Sequence, residues 1–216
     1  MTGQNKYTHI IWDWNGTLFD DVNWCISVIN SMLNKRQIKT LSSVAEYQKA
    51  FCFPIINYYR NVGFNFAEEP FEKLANEYIS LYHAEKSGNC KLYKNALSVL
   101  KTLQDKQITQ LLLSASETGN LISQMSEFHI QHYFDEILGL SNVYAASKID
   151  IGYDYIIRKQ VIGAVLIGDT EHDYEVANAL GIDCVLISNG HQSKDKLLTC
   201  NVPVLSDISQ VIEYLE

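Results

Sequence analysis

Two hydrophobic rhythms divide the chain. Residues 8–14, THIIWDW, form a short apolar, β-prone run that ends in the polar loop NGT, the pattern of a buried strand. From Asp21 onward the rhythm becomes helical: Val22, Ile26, Ile29 and Leu33 follow one another at spacings of four, three and four. Residues 41–51, 54–62 and 68–86 also predict helices, with breaks at Pro54, Gly63 and Pro70. No strand is expected between 21 and about 90, where a turn around Ser87-Gly88-Asn89 marks a second boundary. Beyond it the rhythms alternate. Helices are predicted at 94–105, 117–128, 149–160 and 171–180, the last stopped by Gly181. Strands are predicted at 108–114, 134–139, 163–168 and 183–188, and a final strand, VPVLS, and a helix close the chain.

Strand–helix alternation of this kind predicts an α/β fold, a doubly wound parallel sheet with helices on both faces. The all-helical stretch reads as an insert. The expected organisation is a core of residues 1–20 and 90–216 with an α-helical cap at 21–89. Ligands in such sheets bind at the carboxyl ends of the strands, so the polar residues that follow each strand are the ones to examine.

Composition narrows the class. Apolar residues make up 47% of the chain and charged residues 19%, enough to bury a real core. The net charge of −8 argues against nucleic acid or an anionic membrane as partner. It does not exclude a phosphate ligand, which needs only one or two local cations. No apolar run approaches the ~20 residues of a membrane span, and MTGQNKYTHIIWDW lacks the features of a signal peptide. The five cysteines are scattered and odd in number, as expected of reduced thiols in a cytoplasmic protein. Nothing in the sequence implies an obligate protein partner.

The strand ends carry the chemistry. Asp13-Trp14-Asn15-Gly16-Thr17 follows the first strand, Ser114-Ala115-Ser116 follows ITQLLL, Ser147-Lys148 opens a helix, and Asp169-Thr170-Glu171-His172-Asp173 follows AVLIG. Clustered carboxylates repel one another unless a cation sits among them, and hard oxygen donors suit Mg²⁺. Lys148 and the Ser114 hydroxyl are placed to hold phosphate oxygens. The backbone N–H groups of the 15–17 turn are expected to form an anion nest, which makes Gly16 and Thr17 phosphate-binding candidates. Asp13, at the rigid end of a buried strand, is the candidate nucleophile toward phosphorus.

Asp13-Trp14-Asn15-Gly16-Thr17 resembles motif I of the haloacid dehalogenase superfamily, usually Asp-x-Asp-Gly-Thr in its phosphatases. Ser114 matches motif II, Lys148 motif III, and Gly168-Asp169-Thr170 with Asp173 motif IV. The similarity is greatest to phosphoglycolate-phosphatase-like members with a helical cap. It implies a Mg²⁺-dependent phosphatase acting on a small-molecule phosphomonoester. Asp13 would be the nucleophile that becomes an aspartyl phosphate. The metal would be held by Asp13, the Asn15 carbonyl, Asp169 and Asp173. Ser114 and Lys148 would bind the transferring group, and the cap would close over the substrate.

One residue departs from the motif. Asn15 stands where these phosphatases carry the Asp that protonates the leaving oxygen and then deprotonates water, help typically worth about 10²–10⁴-fold. Three outcomes remain open: another group such as Asp20, His172 or His191 replaces the acid; the substrate has a good leaving group; or the chain is a phosphate-ligand binding or regulatory module with weak turnover. Ala115 stands where relatives often place Asn beside the motif II hydroxyl, at a phosphate-contact position. The segment 51–60 resembles the family's specificity loop, and its aromatics serve either helix packing or a wall against a ring-bearing substrate. Arg60 in that segment is a candidate clamp for a second anionic group.

Overall fold

The computed structural model describes residues 6–84, 90–140 and 148–215. The elements run β1 (His9–Trp12), β2 (Phe19–Asp20), α1 (Val22–Lys35), α2 (Val44–Ala50), α3 (Ile55–Asn61), α4 (Phe71–Ala84), β3 (Lys91–Leu92) and α5 (Ala96–Asp105). There follow β4 (Thr109–Glu117), α6 (Thr118–Phe128), β5 (Glu136–Leu140), α7 (Lys148–Lys159), β6 (Ala164–Gly168), α8 (Glu171–Leu180), β7 (Asp183–Ile187), α9 (Lys194–Leu198), β8 (Val204–Leu205) and α10 (Gln210–Leu215). Among the described residues, six strands make one parallel sheet in the order β5-β4-β1-β6-β7-β8. The chain winds outward from β1 through β4 to β5, then crosses back to β6 on the other side of β1. This is the predicted doubly wound α/β sheet, and the reversal beside β1 is where such sheets open a crevice.

Alternation along the strands fills both faces. Ile10 and Trp12 of β1 point to one face, where Val99, Leu103, Leu121, Met125 and Val211 of α5, α6 and α10 cover them. Ile11 points to the other, against Tyr155, Val176, Ala177 and Leu197 of α7, α8 and α9. The helices α1–α4 gather a third cluster of their own around Ile29, Met32, Tyr47, Tyr58 and Leu74. Among the described residues no helix is long and apolar enough to cross a membrane.

The structure differs from the sequence reading at the seams. β1 ends at Trp12, so Asp13 and Trp14 leave the ladder. β4 runs on to Glu117, with an irregular register between Leu113 and Glu117, so Ser114–Ser116 are extended backbone and not loop. Glu117 then caps α6 by accepting from the Gly119 and Asn120 N–H groups. Three elements were too short to show a period: β2 and β3, the antiparallel pair that brackets the helical insert, and α9, capped by Ser193. The turn expected at Ser87-Gly88-Asn89, and Ser147, lie outside the described residues. Gly181 ends α8 with a left-handed φ of +68°, as predicted.

Candidate active site

The register of three neighbouring strands assembles the site. Trp12 of β1 pairs with Leu112 of β4 and Ile167 of β6, so the residues that follow emerge at one edge. Asp13 leaves β1 with its N–H on the Ile167 carbonyl at 2.9 Å. The chain then folds back tightly: the Trp14 carbonyl accepts from Leu18 N (3.0 Å) and Phe19 N (2.9 Å), and Gly16 N donates to the Phe19 carbonyl (2.8 Å).

That turn overturns one expectation. The Gly16 N–H is spent on Phe19 and the Thr17 N–H on Trp14 at 3.3 Å, so neither is free to cradle an anion. The reason is closure of the turn onto β2, a tertiary event the dipeptide does not encode. Gly16 is required for another reason. Its φ is +74°, and a Cβ there would lie 2.3 Å from Asp169 Oδ2 and 2.6 Å from His191 Cδ2. Thr17 sits under the carboxylates and donates its hydroxyl toward Asp13 Oδ2 (3.4 Å) and Asp169 Oδ1 (3.2 Å).

The helix starts supply the rest. Thr170 and Asp173 form a capping box at the head of α8: Asp173 Oδ2 accepts from the Thr170 N–H (3.1 Å), the Thr170 hydroxyl (2.8 Å) and the Asp169 N–H (3.2 Å). Its other oxygen faces the cavity. There Lys148, the first residue of α7, donates 2.6 Å to Asp173 Oδ1 and 2.7 Å to Asp13 Oδ1. Asp169 Oδ2 accepts from the His191 N–H at 2.6 Å. The carboxylates of Asp13, Asp169 and Asp173 lie within 4.8 Å of one another and all three are buried.

Three buried carboxylates around one ammonium strain their own ionisation. Burial pushes Asp13 up to about 6 against the pull of Lys148. Burial lifts Asp169 further, to about 8; His191 offsets part of this, while Asp13 and Asp173 add to it. Asp173 is buried too, but Lys148 and Thr170 outweigh the burial and hold it below the usual carboxylate range.

A second network, which the sequence did not announce, surrounds Asn15. Its Nδ2 donates to Asp21 Oδ2 (2.8 Å) and to Tyr82 Oη (3.2 Å), while its Oδ1 accepts from the Ser116 hydroxyl (2.8 Å). The Tyr82 hydroxyl donates to the same Asp21 oxygen at 2.8 Å. Asp21 Oδ1 faces His191 Nε2 at 3.3 Å, and His191 Nδ1 pairs with Tyr47 Oη at 2.8 Å. Burial opposes the charge on His191, yet Asp21 raises its pKa to about 9. Asp21 itself is held low against its burial by His191, Tyr82 and Asn15. Asp21 had no motif to mark it, and Tyr47 and Tyr82 reach the site from α2 and α4.

These groups floor a cavity of about 380 Å³, lined by Asp13, Asn15, Ser114, Ala115, Lys148, Asp169 and Asp173 below and by side chains of α1, α3, α4 and the loop between α2 and α3 above. Ser114 is buried, and its Oγ accepts from the Ser116 N–H at 3.1 Å. His172 lines the cavity with its ring stacked on Phe53 at 4.7 Å. Asp20 lies outside it, beside a separate shallow pocket with Asn23 and Lys91. Arg60, the expected anion clamp, also lies outside: it is exposed, donates to Asn57 Oδ1 at 2.7 Å and stands over the Phe66 ring. On α3 the cavity-facing turn belongs to Ile55, Tyr58 and Tyr59, and Arg60 falls on the outer side. Trp14, which lies between the motif positions, is fully buried against Phe19 at 5.1 Å; it does not line the cavity but donates at 2.9 Å to Gln124, which does.

Comparison with known proteins agrees with this geometry. The family model for haloacid dehalogenase-like hydrolases matches residues 10–187. A protein named phosphoglycolate phosphatase from Haemophilus influenzae is 24% identical over 148 residues, an alignment that spans 66% of this chain and 66% of that protein. Among solved structures, a haloacid dehalogenase-like family hydrolase from Streptococcus pneumoniae superposes with a TM-score of 0.83 at 20% identity, over 98% of this chain and 99% of that one. A predicted phosphoglycolate phosphatase from Haemophilus somnus superposes with a TM-score of 0.81 at 16% identity, over 99% of this chain and all of that one. With most of its length matched by the family model and its motif residues gathered around one cavity, the chain belongs to the haloacid dehalogenase-like hydrolase family.

Proposed function

We propose that the protein is a Mg²⁺-dependent phosphatase of small-molecule phosphomonoesters that works through an aspartyl phosphate on Asp13. The observation that carries this reading is the convergence of Asp13, Asp169, Asp173 and Lys148 on the floor of one cavity. The relative named phosphoglycolate phosphatase supports the reaction class.

The donors fit the metal. They are hard oxygens, buried, close together and in excess of the positive charge beside them. Asp13, Asp169, Asp173 and the Asn15 carbonyl would hold Mg²⁺, which would supply the positive charge that lets the carboxylates and a phosphoryl group share the site. The residues do the rest. Lys148 keeps Asp13 ionised and in place for in-line attack. Ser114 and Lys148 orient the phosphoryl oxygens. Thr17 and His191 fix Asp13 and Asp169 from beneath. The helices α1–α4 cap the cavity and exclude water.

A second reading has one observation in its favour. The Asn15 amide is bonded at both ends and cannot shuttle a proton, so the chain would bind phosphorylated ligands with little turnover. The rate on p-nitrophenyl phosphate with and without Mg²⁺, for wild type and Asp13→Asn, separates the two. The hydrolase reading expects metal-dependent turnover that falls by about 10³-fold or more in the variant. Equal rates in the two proteins overturn it. An inert wild type that still binds phosphate in Mg²⁺ establishes the binding module.

A further inference from the structure

We propose that the substrate is the phosphate monoester of an uncharged phenol-type alcohol, an aryl phosphate, and not that of an aliphatic hydroxy acid. The inference rests on the hydrolase reading and names its substrate class. Three independent features of the cavity lead to it.

The first is that the side chain standing at the family's general-acid position is the Asn15 amide, which has no proton to give the leaving oxygen. The Asn15 amide nitrogen is committed to Asp21 and Tyr82. The Tyr82 hydroxyl proton is held by Asp21 at 2.8 Å. Both ring nitrogens of His191 are engaged, by Tyr47 and Asp21. Burial disfavours the charged form of His83. The His172 ring lies against Phe53 with Nδ1 toward Glu175. An aliphatic alkoxide, the anion of an acid about as weak as water, does not depart unprotonated at a useful rate. A phenolate, whose conjugate acid has a pKa of about 10, does.

The second is the chemistry of the walls. Phe51, Phe53, Ile55, Tyr58, Tyr78 and Ile79 present rings and aliphatic chains to the cavity. Its volume is about 380 Å³, and roughly 150 Å³ of apolar space already admits a benzene ring. The third is charge. Among the described residues that line the cavity, Lys148 is fixed between Asp13 and Asp173, and His191 is paired with Asp21. A carboxylate on the leaving group would find no unpaired lysine or arginine there. Arg60, the residue that might have met it, points elsewhere.

The reaction balances without an internal acid. An Asp13 carboxylate oxygen forms a bond to phosphorus as the P–O(aryl) bond breaks, and the electron pair leaves on the phenolate, which takes a proton from solvent. Water then attacks phosphorus, the bond to Asp13 breaks and returns its electron pair to the carboxylate, and the surplus proton passes to bulk water. The sum is monoester plus water to phenol plus inorganic phosphate.

The test separates ring from leaving group. The ratio kcat/KM is measured in Mg²⁺ for phenyl and p-nitrophenyl phosphate, for benzyl phosphate (a ring on an aliphatic oxygen), for acetyl phosphate (a good leaving group without a ring) and for phosphoglycolate. The expected order places the aryl esters at least about 10²-fold above benzyl phosphate and phosphoglycolate, the size of one missing general acid. It also places them above acetyl phosphate through a lower KM. In Asn15→Asp the aryl-to-benzyl gap narrows. Because the new carboxyl would face Asp21, Asn15→Asp/Asp21→Asn is run beside it to keep the hydrogen-bonded pair intact. Benzyl phosphate or phosphoglycolate turned over as well as the aryl esters overturns the inference while leaving the hydrolase standing, and so does acetyl phosphate as the best substrate. No turnover of any ester overturns both.

Discussion

The floor and the roof of the cavity are built on different physics. On the floor every charged group has a partner at a fixed distance: Lys148 between two carboxylates, Thr17 beneath two, Asp173 within its capping box. Such contacts are directional and steep, and each is anchored to a strand end or a helix start. The roof is held by ring packing: Phe51 against Tyr58 at 5.2 Å, Tyr47 against Tyr58 at 5.8 Å, Tyr59 against Phe64 at 5.5 Å. These contacts fall off gently and tolerate substitution of similar shape. A rigid floor suits a reaction whose atoms must line up. A compliant roof suits the choice of what is attached to the phosphate. The two are tied at few points, chiefly Asn15 to Asp21 and Tyr82, Tyr47 to His191, and Gln48 to the Gly190 carbonyl at 2.8 Å.

The sharpest way to break this contrast is one substitution on each side. Gly16→Ala drives a Cβ into Asp169 and His191 at a left-handed backbone position, and the floor has no room to yield. A loss of kcat/KM of more than about 10²-fold, with a lower Tm, is expected. Phe53→Ala removes a ring from the roof, and its expected effect is a KM for aryl phosphates raised by about tenfold, the worth of one aromatic contact, with kcat nearly unchanged. Kinetics of the two variants side by side decide the matter. A Gly16→Ala protein with near-normal kcat would show that the floor gives as readily as the roof.

The next effect is on stability against pH, and it belongs to the floor alone. The folded pKa values of Asp13, about 6, and Asp169, about 8, stand above the ordinary carboxylate value of 3.8. Above that value the unfolded chain ionises freely while the folded chain resists, so stability falls as pH rises through the window up to about 8. His191 extends the fall. Its raised pKa, about 9, gives stability that is complete below the ordinary value of 6.5 and is lost as pH passes about 9. Urea midpoints in the presence of a chelator should therefore decline steadily from about pH 4 to 9. In Asp169→Asn the decline up to about pH 8 should shrink, while Phe53→Ala should keep the wild-type slope at a lower midpoint. A chelated wild type whose midpoint rises over that window would contradict the charge balance described for the floor.

The same contrast governs what the sequence disclosed. Asp13, Ser114, Lys148, Asp169 and Asp173 were legible because each stands at the end of a strand or the start of a helix, where register alone fixes its place. Gly16 and Thr17 were assigned to the site for the wrong reason, because the destination of an N–H group depends on which carbonyl the chain folds back to meet. Asp21 was invisible: it precedes α1 as any turn-forming acid does, and its worth comes from Asn15, Tyr82 and His191 arriving around it. The β2–β3 pair has two residues per strand, too few to show an alternation. The roof was legible as aromatic and helical, but not by face, since α3 is only two turns long.

Arg60 carries the smallest expected effect and tests that last point directly. By sequence it sits among the cavity aromatics, one residue from Tyr59, and a clamp on a second anion is a reasonable reading of it. In the fold it looks outward, with its guanidinium on Asn57 and Phe66. Such an exposed contact contributes at most about 1 kcal/mol to stability. Arg60→Ala should leave kcat/KM for phenyl phosphate and for phosphoglycolate within about twofold of wild type, since neither the floor nor the cavity wall is touched. A selective loss on phosphoglycolate of tenfold or more would place Arg60 over the substrate when the cavity closes. The roof would then carry directional chemistry as well as shape, and the division drawn between the two regions would fail.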